Sequence, residues 1–232
     1  MSFLSGGYYL VRPMSRAEHM NAVLLPERIL TVSDCIADLA PDLWATDRSK
    51  IALESRLESA SKFGIDEAGL ADIIQWTTAA LENGTLGWTS VFFELSTAHE
   101  FAMRFLGQSP DYQVLGLALH RDHCPALMEE AAPEEGGAES GLYACISAAR
   151  EPVGGGRAVG FDVLCLDWQS FHSYICNGLE VEFDQKLGIK PNKLGFFDRE
   201  ADARKCAEYA GLDSTGAEPG LWQPWKVVLY DF

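Results

Sequence analysis

Two apolar segments within residues 142–178 flank the turn-forming sequence EPVGGGR, and this pattern restricts the possible folds severely. In the second segment, 157–168, one alternating set is Val159, Phe161, Val163 and Cys165, and the other is Gly160, Asp162, Leu164, Leu166 and Trp168, which is typical of a strand. The glycines at 154–156 supply the permissive backbone that a tight connection needs. The stretch therefore predicts a long β-hairpin, whose second strand leads into a short helical turn carrying His172 and Cys176.

Helical patterns dominate the first third of the sequence. Ser15 and Glu18 form a capping-box pattern, and apolar residues recur at helical spacing in the segments that follow. The predicted helices are 16–25, 29–39, 47–62 and 66–82. Because only a short break at Gly64 separates the last two, we expect an antiparallel helix pair, with Asp66 as the N-cap of its second member.

Strand patterns dominate the remainder of the chain. The predicted strands are 8–11, 90–95, 112–119, 157–168 and 225–230, and the predicted helices are 97–106, 179–187 and 199–210. Residues 121–140 are rich in glutamate and predict a solvated loop. Together these patterns predict one α+β domain over residues 1–232 with a mostly antiparallel sheet, made of a helical N-terminal third (about 14–84) and a sheet-forming part (about 85–232).

Composition limits the classes of partner. The chain of 232 residues has 34 acidic and 18 basic residues, a formal charge of −16. Nucleic acid and anionic membrane surfaces would be repelled, whereas a basic protein would be attracted. No segment approaches the roughly 20 apolar residues of a membrane span, and the N-terminus lacks a signal-peptide pattern, so we expect a cytoplasmic protein. The six cysteines form no CxxC pair and are expected to be free thiols.

The first candidate for chemistry is the pair His172 and Cys176. On a helical turn these side chains would share one face, and a histidine there could activate a cysteine nucleophile. Asp167 is a possible group to orient the imidazole. The alternative is that the cysteine is a small core residue and the histidine a hydrogen-bonded structural group.

Two further clusters of residues in the sequence contain groups that could bind a metal or perform acid–base chemistry. His120, His123 and Cys124 lie within five residues and could contribute metal ligands, but the paired knuckles of structural zinc sites are absent, so no metal or other cofactor is expected. A second cluster, with Glu94 at its start, could perform acid–base chemistry in a cleft. Its other members are His99 and Glu100, and Glu100 is already explained as a capping-box residue.

Aromatic residues cluster at two places, after the long strand and before the last one. They are Trp168, Phe171, Tyr174, Trp222 and Trp225. Aromatic anchors surrounded by carboxylates would suit a surface that binds a basic protein. The alternative is that these rings complete the ends of the core.

In size, acidity and lack of catalytic motifs the chain is similar to the bacterial immunity proteins that neutralise a co-encoded toxin. The resemblance implies a non-catalytic protein-binding domain that recognises a basic partner. Attraction between opposite charges would speed association with that partner. The alternative function is a hydrolase or an acyl or thiol transferase that uses Cys176 as nucleophile and His172 as base.

Overall fold

The computed structural model describes residues 2–33, 35–36, 38–39, 50–61, 64–87, 91–106, 111–133, 140–167 and 170–231. Within these ranges the chain forms ten strands and seven α-helices. The strands are β1 (Phe3–Arg12), β2 (Met14–Ser15), β3 (Arg28–Ile29), β4 (Asp38–Leu39), β5 (Leu86–Gly87), β6 (Val91–Phe92), β7 (Gln113–His120), β8 (Arg157–Asp167), β9 (Ser170–Ser173) and β10 (Leu221–Tyr230). The helices are α1 (Lys50–Ser61), α2 (Glu67–Glu82), α3 (Leu95–Phe105), α4 (Cys124–Glu130), α5 (Gly141–Ser147), α6 (Glu180–Glu182, continued as a π-helix over Phe183–Leu187) and α7 (Glu200–Ala210).

The main sheet is antiparallel throughout its described pairings. Its strand order is β5-β6-β1-β7-β10-β8-β9, with β4 paired to the end of β1. The strands β2 and β3 form a separate two-stranded ribbon. The predicted α+β class with a mostly antiparallel sheet is therefore confirmed. Since β9 pairs with β8 and is the last strand in this order, it occupies an edge of the sheet.

Alternating residues of the sheet face two helical layers. In β1, Tyr8 and Leu10 pack into a core with α2 and α3, while Tyr9 and Val11 pack into a second core with α4 and α5. This alternation follows from the period of two in a strand. A third core lies over β8 and contains α6, α7 and the turn after β9.

The prediction of a helical N-terminal third is wrong, because the start of the chain is mostly strand. Residues 16–25 contain turns, and Arg16 donates its backbone N–H to the carbonyl of Glu27 beside the β2–β3 ribbon. The described part of 29–39 is also non-helical. Thr31, Val32 and Ser33 are all buried in a segment that has no regular secondary structure. Contacts with other parts of the chain determine this conformation, and the spacing of apolar residues within the segment does not predict it. The helices α1 and α2 do form, and Asp66 caps α2 by accepting from the N–H of Gly69 at 2.8 Å.

The predicted hairpin is also wrong in its first half. Residues 141–147 form α5, whose N-cap Ser140 accepts from the N–H of Tyr143 at 3.0 Å. Three buried apolar residues at helical spacing face the core: Leu142, Cys145 and Ile146. The strand β8 is present as predicted, but it pairs with β10 and β9. The predicted loop 121–140 contains α4 over 124–130, and residues 134–139 lie outside the described ranges.

Candidate thiol–imidazole site

A buried segment near the N-terminus is fixed to the edge of the sheet by two side-chain hydrogen bonds. Thr31 Oγ1 donates to Asp162 Oδ2 of β8 at 3.0 Å, and the backbone N–H of Ser173 in β9 donates to Ser33 Oγ at 3.1 Å. These bonds join residues that are 131 and 140 positions apart in the sequence. They place Cys35, two residues beyond Ser33, beside β9.

The alternation of β9 sets the orientation of His172. Phe171 and Ser173 are buried, whereas the His172 side chain points to the other face and is 16% exposed. His172 lies opposite Cys165 of β8 in the antiparallel register. The imidazole is therefore held on a rigid element and remains open to the residues around the sheet edge.

Three potential nucleophiles or ligands converge here. Cys35 Sγ lies 3.0 Å from His172 Nδ1, and the donor atoms of Cys35, His172 and Cys176 all lie within 4.8 Å of one another. Both cysteines are free thiols; Cys35 is exposed and Cys176 is half-buried. Cys176 Sγ donates to the carbonyl of Ser173 at 3.0 Å and lies 3.7 Å from Ser33 Oγ.

Two carboxylates surround the same imidazole. Glu218 Oε2 lies 3.5 Å from His172 Nδ1, and carboxylate oxygens of Asp167 and Glu218 lie with a ring nitrogen of His172 in a second group whose atoms are within 4.8 Å of one another. Glu218 has a fixed backbone: its N–H donates to Asn177 Oδ1 at 2.8 Å, and its carbonyl accepts from Trp222 Nε1 at 3.0 Å. The arrangement places negative charge beside any proton or cation that the imidazole and thiols hold.

Steric contacts explain why a glycine, Gly220, follows Glu218 by two residues. Gly220 has a φ of +154°, and a Cβ there would lie 2.6 Å from Cys165 Sγ and 2.7 Å from the carbonyl oxygen of Leu166. The loop can approach β8 this closely only without a side chain at that position. Gly220 therefore lets the loop that carries Glu218 lie directly against the strand.

Burial changes the acidity of two groups at the site. It raises the pKa of the Cys176 thiol to about 11, with the neighbouring Cys35 acting in the same direction and the Ser33 hydroxyl opposing it. Burial also raises the pKa of Asp162 to about 7, although hydrogen bonds from Thr31 and Val163 stabilise its ionised form. The carboxyl that anchors the N-terminal segment is thus a titratable group near neutral pH.

The structure brings the predicted residues His172, Cys176 and Asp167 into one neighbourhood, but not on a helical turn. Residues 170–173 are strand β9, and a turn follows at 174–179, so the predicted helical geometry is wrong. Sequence reasoning missed Cys35 and Glu218. No local signal marks either residue, since one lies 137 positions before His172 and the other is in a turn-prone segment.

The aromatic residues proposed as binding anchors are buried where they are described. Their exposed fractions are 4% for Phe171, 0% for Tyr174, 8% for Trp222 and 1% for Trp225. Phe171 packs edge-on against Trp225, with ring centroids 5.3 Å apart. Trp168 lies outside the described residues. The burial of the four described rings favours the interpretation that they complete the core.

The histidine-rich segment forms a different environment. Cys124 Sγ donates to the backbone carbonyl of His120 at 3.6 Å, and His120 Nδ1 accepts from the N–H of Asp122 at 3.3 Å. Burial lowers the pKa of His123. Among the described residues, the groups of donors close enough to share a metal do not include the trio His120, His123 and Cys124.

Glu94 and His99 line a cavity of about 690 Å³ between α3, α5 and the residues after α5. Arg150 Nη1 lies 3.6 Å from Glu94 Oε1, and burial lowers the pKa of His99. Glu100 instead accepts a hydrogen bond from Trp76 Nε1 at 3.1 Å. This cavity shares no lining residue with the thiol–imidazole site, so it is not the substrate pocket of that site.

Comparisons with protein-family models, with curated proteins and with solved structures found no match for this chain. None of the helices in the described ranges is both long and apolar enough to cross a membrane. The geometry of the thiol–imidazole site is therefore the basis for inferring a function.

Proposed function

We propose that this protein performs thiol–disulfide exchange, with Cys35 as the attacking thiol, Cys176 as the second thiol and His172 as the proton acceptor. The observation that carries the proposal is the meeting of two free thiols around one imidazole, with Cys35 Sγ 3.0 Å from His172 Nδ1. The proposal develops the thiol-transferase alternative from the sequence, but it assigns the attacking role to Cys35 in place of Cys176.

Cys35 suits the attacking role because it is exposed and lies at hydrogen-bond distance from the imidazole. A neutral imidazole nitrogen at this distance can accept the thiol proton as the sulfur attacks. The carboxylate of Glu218, 3.5 Å from the same nitrogen, would stabilise the imidazolium that results.

Cys176 suits the second role because it is half-buried and already within 4.8 Å of Cys35 Sγ. Closing this distance to the roughly 2.05 Å of a disulfide needs only a local movement of the Cys35 segment. Burial raises the pKa of the Cys176 thiol to about 11, which disfavours its thiolate at neutral pH. The two thiols therefore differ in exposure, as is required for a reaction in which Cys35 acts first and Cys176 second.

The reaction balances with a small disulfide as the oxidant. Cys35 thiolate attacks one sulfur of the disulfide RSSR, the S–S bond breaks, and RS⁻ leaves from a Cys35–SR mixed disulfide. Cys176 thiolate then attacks Cys35 Sγ, forms the Cys35–Cys176 bond and releases a second RS⁻. Two thiol protons end on the two released thiols, one by way of His172. The protein dithiol loses two electrons and RSSR gains them.

Geometry supports thiol exchange better than hydrolysis by Cys176. The Cys176 thiol donates its hydrogen bond to the carbonyl of Ser173, and the imidazole contacts the other cysteine. A hydrolase with Cys176 as nucleophile would need the imidazole to accept its proton. The sequence-based assignment of that role to Cys176 stays a prediction, and alkylation can separate the two assignments.

The test is oxidation of the reduced, folded protein with glutathione disulfide, in the presence of a metal chelator. We expect peptide mapping to recover a Cys35–Cys176 disulfide, formed more slowly in His172→Ala because the proton acceptor is gone. Cys124→Ser is the control, because the Cys124 thiol donates to the His120 carbonyl and is not a member of the thiol–imidazole group. A mixed disulfide at Cys35 that never resolves, or no oxidation at either residue, would contradict the proposal.

A second candidate function is recognition of a basic protein, and the formal charge of −16 favours it. Since the four described aromatic residues are buried, this proposal depends on charge. We expect capture of a specific basic protein at low salt and its loss at high salt, because screening weakens such steering. Recovery of the same proteins by a charge-matched unrelated acidic domain would remove the support for a specific partner.

A further inference from the structure

The thiol–imidazole site has the donor set of a transition-metal centre. Two cysteine sulfurs and one histidine nitrogen lie within 4.8 Å of one another, and a carboxylate oxygen of Glu218 lies 3.5 Å from His172 Nδ1. In a tetrahedral zinc site, with Zn–S near 2.3 Å and Zn–N near 2.0–2.1 Å, neighbouring donors are roughly 3.4–3.8 Å apart. The donors of Cys35, Cys176 and His172 therefore need adjustments on the order of 1 Å to enclose one ion, and Glu218 approaches the same position through its 3.5 Å separation from His172 Nδ1.

We propose that the reduced protein binds one Zn²⁺ through Cys35 Sγ, Cys176 Sγ, His172 Nδ1 and Glu218 Oε2. Binding replaces the two thiol protons, which pass to solvent, by two Zn–S bonds. This inference uses the same cysteines as the proposed disulfide exchange but does not require that chemistry.

The scaffold around the four donors supports the proposal. His172 projects from β9, and Ser33, two residues before Cys35, is bonded to the next residue of that strand, Ser173. The loop of Glu218 is fixed by its bond to Asn177, the residue after Cys176. Ligands on elements that already contact one another need little further ordering when the ion binds.

The chemistry of the donors favours zinc over magnesium or calcium. Thiolate and imidazole ligands are those that Zn²⁺ prefers, whereas the two alkaline-earth ions select oxygen. Asp167, in the second group around His172, adds negative charge close to the ion without being required as a ligand. This net negative surrounding suits a divalent cation and opposes binding of an anion.

The probe is Co²⁺, which substitutes for Zn²⁺ and reports its ligands optically. We expect the reduced full-length protein to bind one Co²⁺ per chain, with thiolate-to-cobalt charge-transfer absorption in the near ultraviolet and the visible bands of a tetrahedral ion. One equivalent of Zn²⁺ should displace it. Binding without the thiolate absorption, or no binding, would overturn the proposal on the wild-type protein alone.

Substitutions of the proposed ligands test where the ion binds. We expect Cys35→Ser and Cys176→Ser each to lower Zn²⁺ affinity by about 100-fold, and Glu218→Gln by about 10-fold, measured by competition with a chromophoric chelator. Cys124→Ser is the matched control and should bind as the wild type does. Equal loss in this control, or unchanged affinity in Cys35→Ser, would contradict the site; Glu218→Gln keeps both thiols and tests it even if a cysteine variant fails to fold.

The two proposals fail separately. Zinc binding is measured with reductant present, and disulfide formation is measured with a chelator present. Zinc binding without a Cys35–Cys176 disulfide would remove only the exchange function. A disulfide without a thiolate–cobalt spectrum would remove only the metal site.

Discussion

Replacing Asp162 by asparagine should remove a pH dependence of folding stability that the wild type has near neutral pH. Asp162 is 2% exposed and accepts hydrogen bonds from Thr31 Oγ1 at 3.0 Å and from the N–H of Val163 at 2.8 Å. Asparagine has the size of the protonated acid and cannot ionise. We therefore expect Asp162→Asn to behave as the wild type does with this carboxyl permanently neutral.

The size of the effect follows from the pKa of the carboxyl. Burial raises it from 3.8 to about 7, so between these values the folded protein holds a proton that the unfolded chain has released. Stability then falls as pH rises, by about 1.4 kcal/mol per pH unit. This fall in stability begins above the pKa that the carboxyl has in the unfolded chain and levels off above the pKa that it has in the folded protein. Between pH 5 and pH 8 the wild type should lose about 3 kcal/mol that the variant keeps.

The assay is urea unfolding followed by tryptophan fluorescence at several pH values. We expect the free energy of unfolding of Asp162→Asn, minus that of the wild type, to increase by about 3 kcal/mol from pH 5 to pH 8, with an unchanged denaturant slope. Asp122→Asn is the control, because that side chain is 73% exposed. If the free energies of unfolding of the wild type and the variant differ by the same amount at pH 5 and pH 8, the raised pKa of Asp162 is refuted.

Other expected outcomes test packing and thiol accessibility. Trp225→Ala removes a ring that is 1% exposed and should lower the free energy of unfolding by about 3–5 kcal/mol; a loss below 1 kcal/mol would contradict its place in the core. Gly160→Ala should cost about 1–3 kcal/mol, since φ is +139° and the new Cβ would lie 2.7 Å from Phe196 Cβ. An unchanged free energy of unfolding in urea would contradict that geometry. In the folded protein, iodoacetamide should label Cys35 faster than Cys176 at pH 7, as read by mass spectrometry; the opposite order would restore Cys176 as the nucleophile.

The parts of the fold that could be predicted are those whose signal is local. The strand β8 and the helix α2 were predictable because alternation and helical spacing appear within one segment, and Asp66 supplied the cap. The capping box predicted at Ser15 and Glu18 does not start a helix, because Ser15 pairs with Arg28 in the β2–β3 ribbon and turns follow it. Residues 141–147 contain both a run of apolar residues and a helical spacing, and their packing on β1 selects the helix.

The candidate site was only partly predictable for the same reason. His172 and Cys176 are close in sequence, so their proximity needed no knowledge of the fold. Cys35 reaches them through bonds from Thr31 and Ser33 to distant strands, and a single sequence carries no pattern that reports such pairings.

The separation of 137 positions between Cys35 and His172 has a consequence for biosynthesis. Translation releases the first thiol long before the strand that will hold its partners has emerged from the ribosome. Contacts at this sequence separation form late, after shorter-range structure has assembled. A nascent product that stalls before residue 172 therefore lacks both His172 and Cys176, and one that stalls before residue 218 still lacks Glu218.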